Sequence, residues 1–245
     1  MFSIFKKTSK PLKSINFESL RTDMHSHLIA GIDDGSPDLE TSISLIGQLK
    51  EMGFQRFITT PHIMADFYRN TPEIIGNGLE QLELAINSND QSIELKAAAE
   101  YLVDFEFEAK IDNQEPLLTF GDKYILIETS FISAPPNFED IIFKLQLKGY
   151  KVILAHPERF LFMTPKDYES YKNRSVFFQL NLLSLIGYYG KPVQHRAQQL
   201  IQKNMIDFVG TDCHNQIQAN MYEKCFTNSY WHKLVESGFL KNHLL

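Results

Sequence analysis

Three stretches of this chain obey one grammar: a helix stops at glycine or asparagine and a strand begins at once. Leu49-Lys-Glu-Met-Gly53 runs into Phe54-Gln-Arg-Phe-Ile-Thr-Thr60. Leu145-Gln-Leu-Lys-Gly149 runs into Tyr150-Lys-Val-Ile-Leu-Ala155, and Leu200-Ile-Gln-Lys-Asn204 into Met205-Ile-Asp-Phe-Val-Gly-Thr211. Glycine and asparagine tolerate the left-handed conformation that closes a helix, and the mostly apolar runs that follow suit parallel strands covered on both faces. The same periodicity gives about seven strands, near 20–25, 55–61, 93–100, 123–129, 151–156, 175–181 and 205–212. Between them one helix is expected to open at Ser36-Pro37-Asp38, with Ser36 as its cap, and another at Thr71-Pro72-Glu73. Strands alternating with helices make a parallel α/β sheet, and seven or eight of them suggest closure into a barrel. An open doubly wound sheet is the alternative, but no glycine-rich nucleotide loop supports it.

At 245 residues, 43% of them hydrophobic, the chain can fill one such barrel as a single domain, 1–245. Net charge is 24 − 30 = −6 and no basic face stands out, which argues against nucleic acid as a partner. The first ten residues place their few apolar side chains ahead of the lysines, the wrong order for a secretory signal. No stretch approaches the ~18 apolar residues of a membrane span. Stable membrane insertion is therefore not expected, and residues 1–15 read as a flexible tail. Cys213 and Cys225 are too few for a disulfide framework. The reading is a cytoplasmic protein, with a homo-oligomer left open.

The strand ends carry the chemistry. They read Asp23-Met-His25-Ser-His27, Thr60-Pro-His62, Ala99-Glu100, Ile127-Glu128, Ala155-His156-Pro-Glu158-Arg159 and Thr211-Asp212-Cys213-His214. Six of seven strands thus deliver a histidine or acid at the carboxyl end, where barrels assemble their active sites. In extended chain, residues i and i+2 face the same way, so His25 with His27, and Asp212 with His214, can each grip one ion while Cys213 points away. A lone strand-end histidine is more often structural; six strands supplying partners at one end imply a metal site. His195, His232 and His243 lie in polar helical or terminal contexts and read as surface.

Imidazole and carboxylate donors without sulfur suit Mn, Fe, Zn or Mg. So many donors exceed the need of one ion and imply two or three, an arrangement matched to phosphoester hydrolysis. Arg159 fits as a phosphate clamp, because guanidinium binds phosphate in a bidentate manner; a rim salt bridge with Glu158 is the plainer alternative. Cysteine-based phosphatase chemistry is excluded, since the residues six positions after Cys213 and Cys225 are Ala219 and Trp231 rather than arginine.

The set His25-x-His27, Asp34 in Asp33-Asp34-Gly35, Thr60-Pro61-His62, Glu100, Glu128, His156-x-x-Arg159 and Asp212-x-His214, with Gln179-Leu-Asn-Leu-Leu-Ser184, resembles the polymerase-and-histidinol-phosphatase (PHP) superfamily. Within it the chain is similar to the CpsB-like tyrosine-protein phosphatases of capsule biosynthesis. The resemblance implies a distorted (β/α)7 TIM-like barrel and a trinuclear site, with Mn first among the metals. It would place His25, His27, Glu100 and Asp212 on one ion, Glu128 and His156 with a shared Glu100 on a second, and Asp34, His62 and His214 on a third. His156 and His214 would then be catalytic along with Arg159, the phosphoryl clamp. The implied substrate is a tyrosine-phosphorylated protein, typically a tyrosine autokinase of polysaccharide synthesis. One departure stands out. Family members carry a second substrate arginine shortly after the final D-x-H, whereas this chain reads Asn215-Gln-Ile-Gln-Ala-Asn220 with no cation before Lys224. Arg69 is the candidate substitute, and Tyr188 and Tyr189 the candidate rings for a phosphotyrosine. The rival readings are a small-molecule phosphomonoesterase such as a histidinol-phosphatase, and a metal-bound regulator without turnover.

Overall fold

Each of the three helix stops adopts the left-handed conformation: Gly53 at φ +114°, Gly149 at +83° and Asn204 at +54°. The computed structural model describes residues 12–88 and 93–245. Nine short strands follow the expected runs: β1 (Thr22–Asp23), β2 (Arg56–Thr59), β3 (His62–Ile63), β4 (Glu94–Ala97), β5 (Glu100–Leu102), β6 (Tyr124–Glu128), β7 (Lys151–Ala155), β8 (Phe177–Asn181) and β9 (Phe208–Gly210). The pairs β2/β3 and β4/β5 are two expected strands, each interrupted once. Pro61 has no N–H to give the ladder, yet its carbonyl accepts from the Glu100 amide at 3.1 Å, so pairing resumes beyond the break.

All pairings between strands are parallel, in the orders β1-β2-β4 and β3-β5-β6-β7-β8-β9. A parallel bridge between Ser26 and Cys213 joins the two ends, with the Asp212 amide donating to the His25 carbonyl at 2.7 Å and the His27 amide to the Cys213 carbonyl at 3.0 Å. The seven expected strands therefore curl into the distorted barrel. Towards the amino ends of β1 and β9, where the two lack a regular ladder, Asn242 bridges them: its side chain bonds the Thr22 carbonyl and both backbone groups of Val209.

Among the described residues the α-helices are α1 (Leu39–Glu51), α2 (Pro72–Ser88), α3 (Phe105–Asp112), α4 (Phe138–Leu147), α5 (Pro165–Asn173), α6 (Lys191–Gln202), α7 (Gln216–Ala219) and α8 (Ser229–Ser237). Thr71 caps α2 through the Ile74 amide, as expected. The cap of α1 is Asp38, not Ser36: the Asp38 carboxylate accepts from the Thr41 amide at 2.8 Å, while Ser36 is buried and bonds Asp38 and Ser42. Two further expectations are corrected. Of the proposed tail, residues 1–11 lie outside the described residues, but Ile15 is pinned by the Phe226 carbonyl and the Trp231 indole N–H. His232 is buried, with its ring bonded to the Phe226 carbonyl, whereas His195 and His243 are exposed.

Period two decides what each strand turns inward. Ile125, Ile127, Val152, Leu154, Phe178, Leu180 and Val209 join the large outer core beneath the helices. Met24, Ile58, Ala98, Leu126, Ile153 and Phe208 form a separate inner core. Two residues on from Ala98 and Leu126, in the same register, stand Glu100 and Glu128. The apolar plug and the polar site are thus successive layers of one interior.

Candidate metal centre

Glu100 is the hub of the carboxyl-end layer. Its Oε2 lies 3.1 Å from His25 Nε2, 3.5 Å from His27 Nε2 and 3.2 Å from His62 Nδ1, and its Oε1 lies 2.9 Å from His156 Nε2. Asp212 Oδ1 sits 3.4 Å from His25 Nε2 and 3.3 Å from His27 Nε2. Asp34 Oδ1 is 3.5 Å from His62 Nε2 and 3.6 Å from His214 Nε2. Two donors bound to one ion at tetrahedral angles stand about 3.4 Å apart, which is the spacing seen here.

Three groups of donors converge closely enough to share an ion: His25, His27, Glu100 and Asp212; His27, Asp34, His62 and His214; and His62, Glu100 and Glu128. The first contains the expected set. The second contains the expected third set with His27 added. In the last group His62 stands where His156 was expected, while His156 Nε2 lies 3.8 Å from Glu128 Oε2. His62 therefore faces two groups, one with each ring nitrogen.

The donor set fits a metal. His62 Nδ1 and Glu128 Oε1 are both buried, 3.1 Å apart and outside hydrogen-bonding geometry, an expensive arrangement unless something satisfies both. Burial opposes charging of His25 and His27, yet the neighbouring carboxylates prevail. Glu100 and Asp212 push His25 up to about 9, and Asp33 holds His27 well above the ordinary imidazole range. Burial likewise works against ionised Glu100 and Asp212, and His25 leads the histidines that keep both well below the carboxylate range. Such a cluster concentrates negative charge that protons or bound cations must balance.

An outer layer that the sequence reading does not assign to the site orients these donors. His27 Nδ1 bonds Asp33 Oδ2 at 2.7 Å, and His25 Nδ1 bonds Gln179 Oε1 at 2.9 Å. Asn181 donates to Asp212 Oδ2 at 2.6 Å. Each bond occupies the outward atom of a donor and turns the inward one towards the other donors. Gln179 and Asn181 stand two and four positions after inward-packed Phe177, so strand periodicity was a usable signal for both. Gly35 admits Asp33 to this position, since a Cβ there would meet the His27 carbonyl at 2.3 Å. Asp33→Asn is expected to weaken metal affinity by roughly 10–100-fold, measured by titrating Mn into metal-free protein. An unchanged affinity would remove Asp33 from this role.

The donors open into a cavity of about 350 Å³ whose walls include Asp34, His62, Glu128, His156, Asp212 and His214. Arg159 is the cation of its lining. Its guanidinium lies 4.2 Å from the Phe131 ring and 4.5 Å from the Tyr189 ring, and its Nη1 is 3.3 Å from Asp212 Oδ2. Contact with both ring faces restrains the planar fork. Tyr189 lines the cavity; Tyr188 stands edge-on behind it at 5.1 Å and does not. Arg69 is exposed, does not line the cavity, and spends its Nε on the Ala65 carbonyl of its own loop at 2.6 Å. Arg69 therefore does not stand in the cavity wall, whose lining includes Asn215 and Gln218. Phe131 was missed because a phenylalanine in a loop announces nothing until the fold sets it over Arg159.

The family model for capsular polysaccharide synthesis proteins, CpsB/CapC, matches residues 21–236. The chain belongs to the CpsB/CapC family. It is 30% identical over 209 residues to the tyrosine-protein phosphatase YwqE of Bacillus subtilis, covering 82% of this chain and 80% of that protein. It is 24% identical over 202 residues to the tyrosine-protein phosphatase CpsB of Streptococcus pneumoniae, covering 79% and 82%. Among solved structures, one from a study of YwqE and S. pneumoniae CpsB, described as metal-dependent tyrosine phosphatases, superposes with a TM-score of 0.77 at 29% identity, covering 90% of this chain and 94% of that one. An amidohydrolase from Mycoplasma synoviae shares the fold alone, at a TM-score of 0.54 and 12% identity.

Two features of this CpsB/CapC chain complete the site. Cys213, between Asp212 and His214, is fully buried in the outer core, where burial pushes its thiol up to about 12; it is a packing residue. His156 and Asp212 both adopt positive φ, +31° and +53°. Such strain in non-glycine residues is tolerated where surrounding contacts over-determine it, and here both are held by the hydrogen bonds described.

Proposed function

We infer that this chain is a metal-dependent tyrosine-protein phosphatase of capsular or related polysaccharide synthesis. The observation that carries the reading is the crowd of imidazole and carboxylate donors around Glu100, opening into a cavity with one stacked guanidinium. His25, His27, Glu100 and Asp212 would hold one ion, Glu128 and His156 with Glu100 a second, and Asp34, His62 and His214 a third; Mn suits these donors. When bound, such ions supply a hydroxide nucleophile near neutral pH and neutralise phosphoryl oxygens. Arg159 presents two parallel N–H groups to a phosphoryl oxygen pair. Asn181 keeps Asp212 oriented even when Arg159 turns to the substrate.

The substrate is a tyrosine-phosphorylated protein. We assign it, more narrowly, to a tyrosine autokinase of polysaccharide synthesis, with the reaction in the cytoplasm; no helix among the described residues is long and apolar enough to cross a membrane. Purified protein with Mn is expected to hydrolyse a phosphotyrosine peptide in preference to phosphoserine peptide and histidinol phosphate. Chelation with EDTA should remove essentially all turnover and Mn should restore it, while iodoacetamide leaves it intact. Turnover that survives EDTA, or that dies on alkylation, rules the mechanism out. Preference for histidinol phosphate would establish the small-molecule reading instead.

A further inference from the structure

Exposed apolar side chains are ordinary when scattered, but here several stand next in the chain to residues that line the cavity. Phe67, 76% exposed, is the chain neighbour of Tyr68, which lines the cavity; Ile132, 85% exposed, follows the lining residue Phe131; Ile217, 70% exposed, precedes the lining residue Gln218. Tyr188, also exposed, precedes Tyr189. They follow the carboxyl ends of β3, β6, β8 and β9, with Ile217 on the short helix α7, at the end of the barrel where the cavity opens. Beyond the site residues Glu158, Arg159 and Asp212, the segments after β6 to β9 are free of charge: residues 129–137, 160–164, 182–190 and 215–221 contain no Asp, Glu, Lys or Arg, whereas Asp66 and Arg69 flank Phe67 and Tyr68 after β3. The other large exposed apolar residues on helices, such as Leu84 on α2 and Phe143 on α4, sit away from these loops in the chain.

We propose that the uncharged apolar segments on the β6–β9 side of the cavity dock the peptide segment around the phosphotyrosine, selecting protein substrates with apolar residues on either side of it. The proposal rests on the phosphatase reading above. A cavity of about 350 Å³ is at the small end of ligand sites and admits one phosphoaryl group, so the rest of a polypeptide must lie on the rim. These uncharged segments offer nothing to acidic flanking residues and leave their desolvation uncompensated. Aliphatic or aromatic flanks cover Ile132 and Ile217 and remove apolar surface from water. Phe131 links the two regions, with one ring in contact with Arg159 inside and its chain neighbour Ile132 outside.

The test compares wild type with the double variant Ile132→Asp, Ile217→Asp, after thermal unfolding confirms an unchanged Tm. Three substrates are used: free phosphotyrosine, a phosphotyrosine peptide with Leu and Val flanks, and one with Asp and Glu flanks. Wild type is expected to favour the apolar peptide. The variant should lose about tenfold or more in kcat/KM on that peptide, the scale of one or two aliphatic contacts, while free phosphotyrosine is turned over as before. An equal kcat/KM for wild type and variant on the apolar peptide, with phosphotyrosine activity intact, overturns the rim proposal alone. A wild type inactive on all three overturns the phosphatase reading and the rim with it. Liposome binding, or a dimer, that the substitutions abolish without altering peptide turnover would assign the rim to a membrane or a second copy and also overturn the proposal.

Discussion

Glu100→Gln is expected to reduce turnover by on the order of a thousandfold or more and to release bound metal. Glu100 reaches four histidines, His25, His27, His62 and His156, through two oxygens. The amide preserves size and one acceptor but removes the charge, leaving the imidazoles around a neutral group that cannot bridge ions. Metal analysis and kcat/KM on p-nitrophenyl phosphate should fall together. A variant that keeps its metal and its activity would show that Glu100 is a structural hydrogen-bonding hub and not a ligand. Because the residue is fully buried, circular dichroism of the variant separates loss of site from loss of fold.

Arg159→Ala is expected to lower kcat/KM by about a hundredfold with metal content unchanged, and Arg159→Lys to recover little of it. Lysine restores charge but neither the planar fork nor the stacking between Phe131 and Tyr189. Asp212 stays anchored in both variants, since Asn181 donates to the same Oδ2 at 2.6 Å, so the loss reports on the phosphoryl group and not on the ligand. Full activity in Arg159→Lys would mean that a point charge suffices and that the Phe131 and Tyr189 ring contacts are packing. Unchanged kcat/KM in Arg159→Ala would end the clamp assignment altogether.

The helix stops and strand ends were legible because they depend on local chemistry. Left-handed Gly53, Gly149 and Asn204 mark where strands restart, and the first acid or histidine follows each of those strands within one to three residues. The α1 cap was misplaced from Asp38 to Ser36 because both are good capping residues two positions apart, and the choice depends on where Ser36 packs. His232 was read as surface because a helix seen as sequence does not reveal which face meets the core. Arg69 was offered as a second clamp because it follows His62 closely, but loop geometry turns it outward to the Ala65 carbonyl.

The sequence by itself determined the kind of fold, the donor types and the end of the barrel that holds them, because strand periodicity and residue chemistry are short-range properties. Only the tertiary structure decided which donors meet. Closing β1 against β9 brings His25 beside Asp212 across nearly the whole chain, and the break at Pro61 brings His62 opposite Glu100. The inward register of β8 supplies Gln179 and Asn181, and a loop after β6 lays Phe131 over Arg159. Those contacts arise from the closure of the sheet on itself, a long-range geometric condition that no local run of residues contains.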